Sequence, residues 1–131
     1  MYKRKNIIEL VNDTIMTFGQ VKVECKLQEK IDEMDISLIE LSHLTGIRYA
    51  SLCDLKNNKK VTLNLQHLTA IMIALRIQSF DELFTLTFED EEQSKMFSVE
   101  SELYKKNGLP HDAIEQMKAN KEILDKHYNK K

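Results

Sequence analysis

Only one proline and three glycines interrupt this 131-residue chain, and no long polar low-complexity run occurs. The backbone therefore has few places to break, which favours an all-helical protein. Two cysteines, Cys25 and Cys53, share no CxxC spacing; that argues against a disulfide framework or a zinc site and fits a reducing compartment. No stretch approaches the ~18 to 20 apolar residues of a membrane span, and no signal-peptide apolar region follows Lys3-Arg4-Lys5. The expectation is a cytoplasmic protein without a membrane segment. GxSxG, P-loop and GxGxxG motifs are missing, and His43, His67, His111 and His127 show no ligand spacing with Cys, Asp or Glu. No enzyme, cofactor or metal is expected.

An excess of charge is missing as well. The formal charge is −2, with 42% hydrophobic and 31% charged residues; the composition reads as folded, and the length suits one domain, or one small domain with an appendage. Net charge thus gives no sign of nucleic-acid binding, but its distribution does. Residues 48 to 60 hold Arg48, Lys56, Lys59 and Lys60 against Asp54 alone. That local basic stretch follows a patterned segment.

In the segment 37–57, Leu38, Leu41 and Leu44 recur at spacings of three, and so do Leu52 and Leu55. Each set makes one apolar stripe on a short helix. Between them Gly46 can take the left-handed backbone that ends a helix, with Ile47 filling the inside of the corner. Ser37 before Leu38 and Glu40 three residues on form a capping-box pattern. These residues resemble the Xre/Cro/C1-type helix-turn-helix regulators of phage and bacteria: Glu40-Leu41-Ser42, Gly46, Ile47, Leu52 and Leu55 fall at the motif's spacings, with Ser42 where alanine is usual. Asn64-Leu65-Gln66-His67-Leu68, Ile71, Ala74-Leu75, Ile77 and Asp81-Glu82-Leu83-Phe84 resemble the family's fourth and fifth helices. The resemblance spans roughly residues 20–84.

Around this centre the periodicity predicts an amphipathic helix over 6–18, with Ile7, Ile8, Leu10, Val11, Ile15 and Phe18 on one broad side and Gly19 as its stop. A second helix is predicted over 20–35, burying Val23, Leu27, Ile31 and Met34. Asn64 caps a helix over 65–76 whose Leu65, Leu68, Ile71, Met72 and Leu75 fill the core, and Ser79 caps a short one through Phe84. The expected architecture is all-α, a five-helix lambda-repressor-like bundle with an extra N-terminal helix and a C-terminal helical hairpin. Thr85-Leu86-Thr87-Phe88 alternates like a short strand but has no visible partner. From Glu89 a helix runs to about Lys106 with Met96, Val99 and Leu103 on one side. Pro110 opens a last helix bearing Ile114, Met117, Ile123 and Leu124. The expected divisions are 1–19, an N-terminal amphipathic helix; 20–84, the DNA-binding domain; and 85–131, a hairpin for dimerisation or partner binding.

With Leu52 and Leu55 turned inward, the outward set on the second motif helix is Arg48, Tyr49, Ala50, Ser51 and Asp54. The resemblance implies that base contacts fall on Tyr49, Ala50 and Asp54, with Arg48 at the helix start near backbone and base edges. Arginine can grip guanine in a bidentate way, aspartate can accept from a cytosine amino group, and alanine can pack on a thymine methyl. Phosphate contacts are expected from Ser37, Asn57, Asn58, Lys59 and Lys60. The family points to a sequence-specific regulator of double-stranded DNA, a repressor acting as a homodimer through helix 48–56. The other reading is a protein-interaction module, an antirepressor or adaptor, in which the helix-turn-helix is structural and the C-terminal hairpin binds a partner or antagonist. Cys53 is expected to be a small, partly buried residue.

Overall fold

The structure, a computed structural model, describes residues 7–59 and 62–128. Lys60, Asn6 and Lys3-Arg4-Lys5 lie outside the described residues, as do the side chains of Ile7 and Ile8. The elements in chain order are α1 (Ile7–Ile15), β1 (Val21–Cys25), α2 (Leu27–Glu33), α3 (Leu38–Thr45), α4 (Tyr49–Lys56), α5 (Leu65–Leu75), β2 (Phe84–Phe88), α6 (Glu91–Asn107) and α7 (His111–Tyr128). Short 3-10 turns cover Met16–Phe18 and Phe80–Glu82. No helix among the described residues is long and apolar enough to cross a membrane. The chain divides into two compact units, one of residues 22–87 and one combining 1–21 with 88–131.

In the unit 22–87 the core is formed by Leu27 and Ile31 of α2, Leu38 and Leu41 of α3, Leu52 and Leu55 of α4, and Leu68, Ile71 and Leu75 of α5. It is completed by Cys25, Ile47, Ile77, Leu83 and Phe84. The three- and four-residue spacing of these side chains gives each helix one inward stripe. Leu44 and Leu65, expected inside, are 61% and 74% exposed. Leu44 sits at the end of α3, and Leu65 occupies the first turn of α5, just after its Asn64 cap.

The all-α expectation is corrected here, because the predicted helix 20–35 is two elements. Val21-Lys22-Val23-Glu24-Cys25 alternates and contains two β-branched residues, which suits a strand better than a helix. Its partner is β2, which supplies what the alternating Thr85–Phe88 segment lacked in the sequence. Lys26 N–H donates to the Leu83 carbonyl (2.6 Å) and Glu89 N–H donates to the Gln20 carbonyl (3.0 Å). One chain index rises as the other falls, so the pair is antiparallel and Val23 stands opposite Leu86. Val23 and Met34, assigned to the core by helical spacing, are 53% and 41% exposed. The expected fifth bundle helix is only the 3-10 turn Phe80–Glu82, where the Glu82 carboxylate accepts the Gln78 and Ser79 N–H groups, both at 3.2 Å.

In the other unit α7 lies against α1, and α6 against the 3-10 turn Met16–Phe18. Phe18, Phe88 and Phe97 make edge and tilted ring contacts with centroids 5.1 to 6.5 Å apart. None of the described side chains of this unit is fully buried. The Asp90 carboxylate accepts the Glu92 N–H at the start of α6 (2.9 Å). Glu91 and Glu92 in its first turn and Lys105 and Lys106 in its last complement the helix dipole.

Candidate nucleic-acid interface

The corner between α3 and α4 is set by local chemistry. Gly46 has φ +82° and ψ 0°, a left-handed cap in which a side chain is strained even where space is open. Ile47 follows with its side chain buried and both its backbone groups held. Its N–H donates to Thr45 Oγ1 (3.2 Å), and its carbonyl accepts from Ser42 Oγ (2.5 Å). Thr45 Oγ1 also donates to the Leu41 carbonyl (2.8 Å). Ser42, which departs from the motif's usual alanine, is therefore a tie across the corner. A buried apolar plug with satisfied backbone groups gives a rigid angle, since releasing it would leave polar groups unpaired.

The two helix starts differ. At α3 the capping box is closed: Ser37 N–H donates to Glu40 Oε1 (2.9 Å) and Glu40 N–H donates to Ser37 Oγ (3.1 Å). Hydrogen bonding from the Ser37 N–H, and after it from the Ser37 hydroxyl, holds the Glu40 carboxyl below the usual glutamate range. An ionised carboxylate thus stands at the α3 start. At α4 Arg48 is the N-cap, and no side chain caps the helix. Its first N–H groups and its dipole are open to an outside acceptor.

Around that open start Arg48, Tyr49 and Ala50 are exposed, while Leu52 and Leu55 are 1% and 8% exposed. Asp54 is half-buried one turn further along, and so is Ser51. Ser51 faces a cleft of about 260 Å³ between α4 and α5, whose other wall includes Leu63, Asn64 and His67. Hydrogen bonding to Cys53, one helical turn on, pushes the Tyr49 phenol above the ordinary tyrosine range. Tyr49 is therefore neutral and keeps its proton at physiological pH. Cys53 is half-buried.

Asn57 and Lys59 are exposed beyond the end of α4. Lys59 N–H donates to the Asp54 carbonyl (2.9 Å), fixing the loop while leaving the ammonium at the surface. Asn58 has a second task. It adopts φ +59°, and its Oδ1 accepts the Cys25 N–H (2.9 Å), tying the end of α4 to β1. Sequence reading assigned Asn58 only to phosphate, because a bond between residues 33 positions apart leaves no local signature. Burial pushes the Cys25 thiol up, so it too stays protonated.

Asn58→Ala should destabilise the protein by about 2 kcal/mol, since it strands the Cys25 N–H and places a Cβ-bearing residue without a compensating side chain in the left-handed region. Asn58→Asp keeps an acceptor and Asn58→Gly keeps the backbone conformation, so both should cost less. Urea melts of the three variants check the order; equal midpoints would show the tie to be idle.

No curated protein and no solved structure matches the chain. The family model described as the Cro/C1-type HTH DNA-binding domain matches residues 26–89, a span that holds the corner, both motif helices, α5 and β2. Residues 26–89 of this chain thus belong to the Cro/C1-type helix-turn-helix DNA-binding domains.

Proposed function

We propose that the protein is a sequence-specific transcriptional regulator of double-stranded DNA, a repressor of phage or bacterial type that acts as a homodimer. The observation that carries the reading is the form of α4: an uncapped start bearing exposed Arg48, Tyr49 and Ala50, held by an inward face of Leu52 and Leu55. A helix of this width enters the major groove and reads base edges with its N-terminal residues. Arg48 suits guanine, Ala50 a thymine methyl, and Asp54 a cytosine amino group, with Ser51 beside them at the cleft. Neutral Tyr49 offers a hydroxyl and an aromatic face. Asn57, Lys59 and Lys60, with the Ser37 hydroxyl and the remaining polar atoms of Asn58, supply phosphate contacts.

Selection of bound duplexes from a random pool, followed by footprinting, tests this. The expected product is a two-part site with half-sites about 10 to 10.5 base pairs apart, or a multiple of that. Affinity should fall steeply with salt, by about 0.9 counterion per neutralised phosphate in the log–log slope. Arg48→Ala and Tyr49→Ala should each relax the selected sequence. Protection of one unrepeated half-site would remove the homodimer. An unenriched pool, with both variants binding like the parent, would hand the function to the protein-interaction reading.

A further inference from the structure

The homodimer reading leaves open which surface joins the copies, and α6 carries a pattern that answers it. Met96, Val99 and Leu103 lie at spacings of three and four on one side of this helix and are 52%, 61% and 50% exposed. The opposite side carries Phe97, which meets Phe18 at 5.3 Å, and Ser101, whose hydroxyl donates to the Phe97 carbonyl (2.8 Å). So α6 spends one face within its own unit and leaves a second apolar stripe in water.

The charges flanking that stripe on one side read, in order, Glu92, Lys95, Glu102 and Lys106, with Glu100 on the other side. Reversed end for end about a point near Val99, Glu92 meets Lys106 and Lys95 meets Glu102, while Met96 meets Leu103. These four charges are thus complementary to their own reverse. A two-fold interface demands this, because residue i must suit residue j and j must suit i. A parallel copy would instead set each charge against its like. Lys95 and Glu92 also pair within the helix at 3.7 Å, which keeps both heads beside the stripe.

We propose that α6 of one protomer pairs antiparallel with α6 of a second copy across a two-fold axis near Val99. Met96, Val99 and Leu103 interdigitate as a short coiled-coil seam, flanked by two Glu92–Lys106 and two Lys95–Glu102 pairs between protomers. This deepens the homodimer part of the proposed function and rests on it.

Sedimentation equilibrium without DNA tests the arrangement. The parent should be dimeric, and Val99→Glu should be monomeric with unchanged far-UV circular dichroism, since Val99 is exposed and carries no fold. Two charge variants give the decisive arm: Glu92→Lys/Glu102→Lys makes all four of these positions positive, and Lys95→Glu/Lys106→Glu makes all four negative. Each alone should dimerise at least about tenfold more weakly, through like-charge repulsion across the axis. An equimolar mixture should return to within about threefold of the parent, because each chain then meets its opposite. The strain these changes add within one helix persists in the mixture, so recovery reports contacts between chains. A parent that stays monomeric, a Val99→Glu dimer of unchanged strength, or a mixture no tighter than its parts overturns the proposal. Failure of the DNA reading shows separately, as a dimer of the expected mass that selects no sequence.

Discussion

Ala50→Glu should abolish sequence-selective DNA binding, weakening it by about 100-fold or more, while the protein keeps its fold and melting point. Ala50 is exposed in the first turn of α4, so a longer side chain meets no packed neighbour. The same openness makes it sensitive. A carboxylate there would sit at the groove floor between two phosphate chains, and bringing like charges together at an interface costs several kcal/mol. It would also compete with DNA for the open N–H groups of α4, since an anion is favoured at a helix start. Ala50→Gln, of similar length without the charge, separates bulk from repulsion and should lose much less. Fluorescence anisotropy against the selected duplex, beside a thermal melt, measures both. Ala50→Glu binding like the parent would mean that α4 does not face DNA.

The legibility of this fold followed the range of the forces involved. Gly46, the Ser37–Glu40 box and the Asn64 cap act within three or four residues, and each stands where the sequence places it. The inward set Leu38, Leu41, Leu52, Leu55, Leu68, Ile71 and Leu75 was equally plain, because helical burial repeats every three to four positions. Residues 20–26 were read differently from how they fold because Val23, Leu27, Ile31 and Met34 satisfy helical spacing, while Val21-Lys22-Val23-Glu24-Cys25 satisfies strand alternation. What decides is a partner about sixty residues away, as the Thr87 Oγ1 to Glu24 Oε2 bond (2.8 Å) illustrates. The Ser42 and Asn58 ties were hidden for the same reason. Of the candidate interface, the residues at the start of α4 could be placed from the sequence, since the apolar stripe fixes their face. The closure of the α3 start by Glu40 and the half-burial of Ser51 needed coordinates.

The corner on which that interface depends should prove sensitive to one core methyl cluster. Leu52→Ala should destabilise the unit 22–87 by about 3 kcal/mol, the lower part of the range for buried leucine truncations. Leu52 is 1% exposed and sits on the inner face of α4, so its removal loses both transfer free energy and dispersion contacts. The cost stays below the upper end because Leu52 also lines the 260 Å³ cleft with Ile47, Leu68 and Ile71, and the space left would join an opening that water already reaches. For a cooperative unit of this size each kcal/mol is worth about 4 to 8 °C, so the midpoint should drop by about 12 to 24 °C. Leu65→Ala removes the same atoms from a side chain 74% exposed on α5 and should shift the melt by less than about 0.5 kcal/mol. Denaturant melts of both variants give the comparison. If Leu52→Ala proved as mild as Leu65→Ala, α4 would not be anchored through its inner face, and the fixed presentation of Arg48, Tyr49 and Ala50 would lose its physical basis.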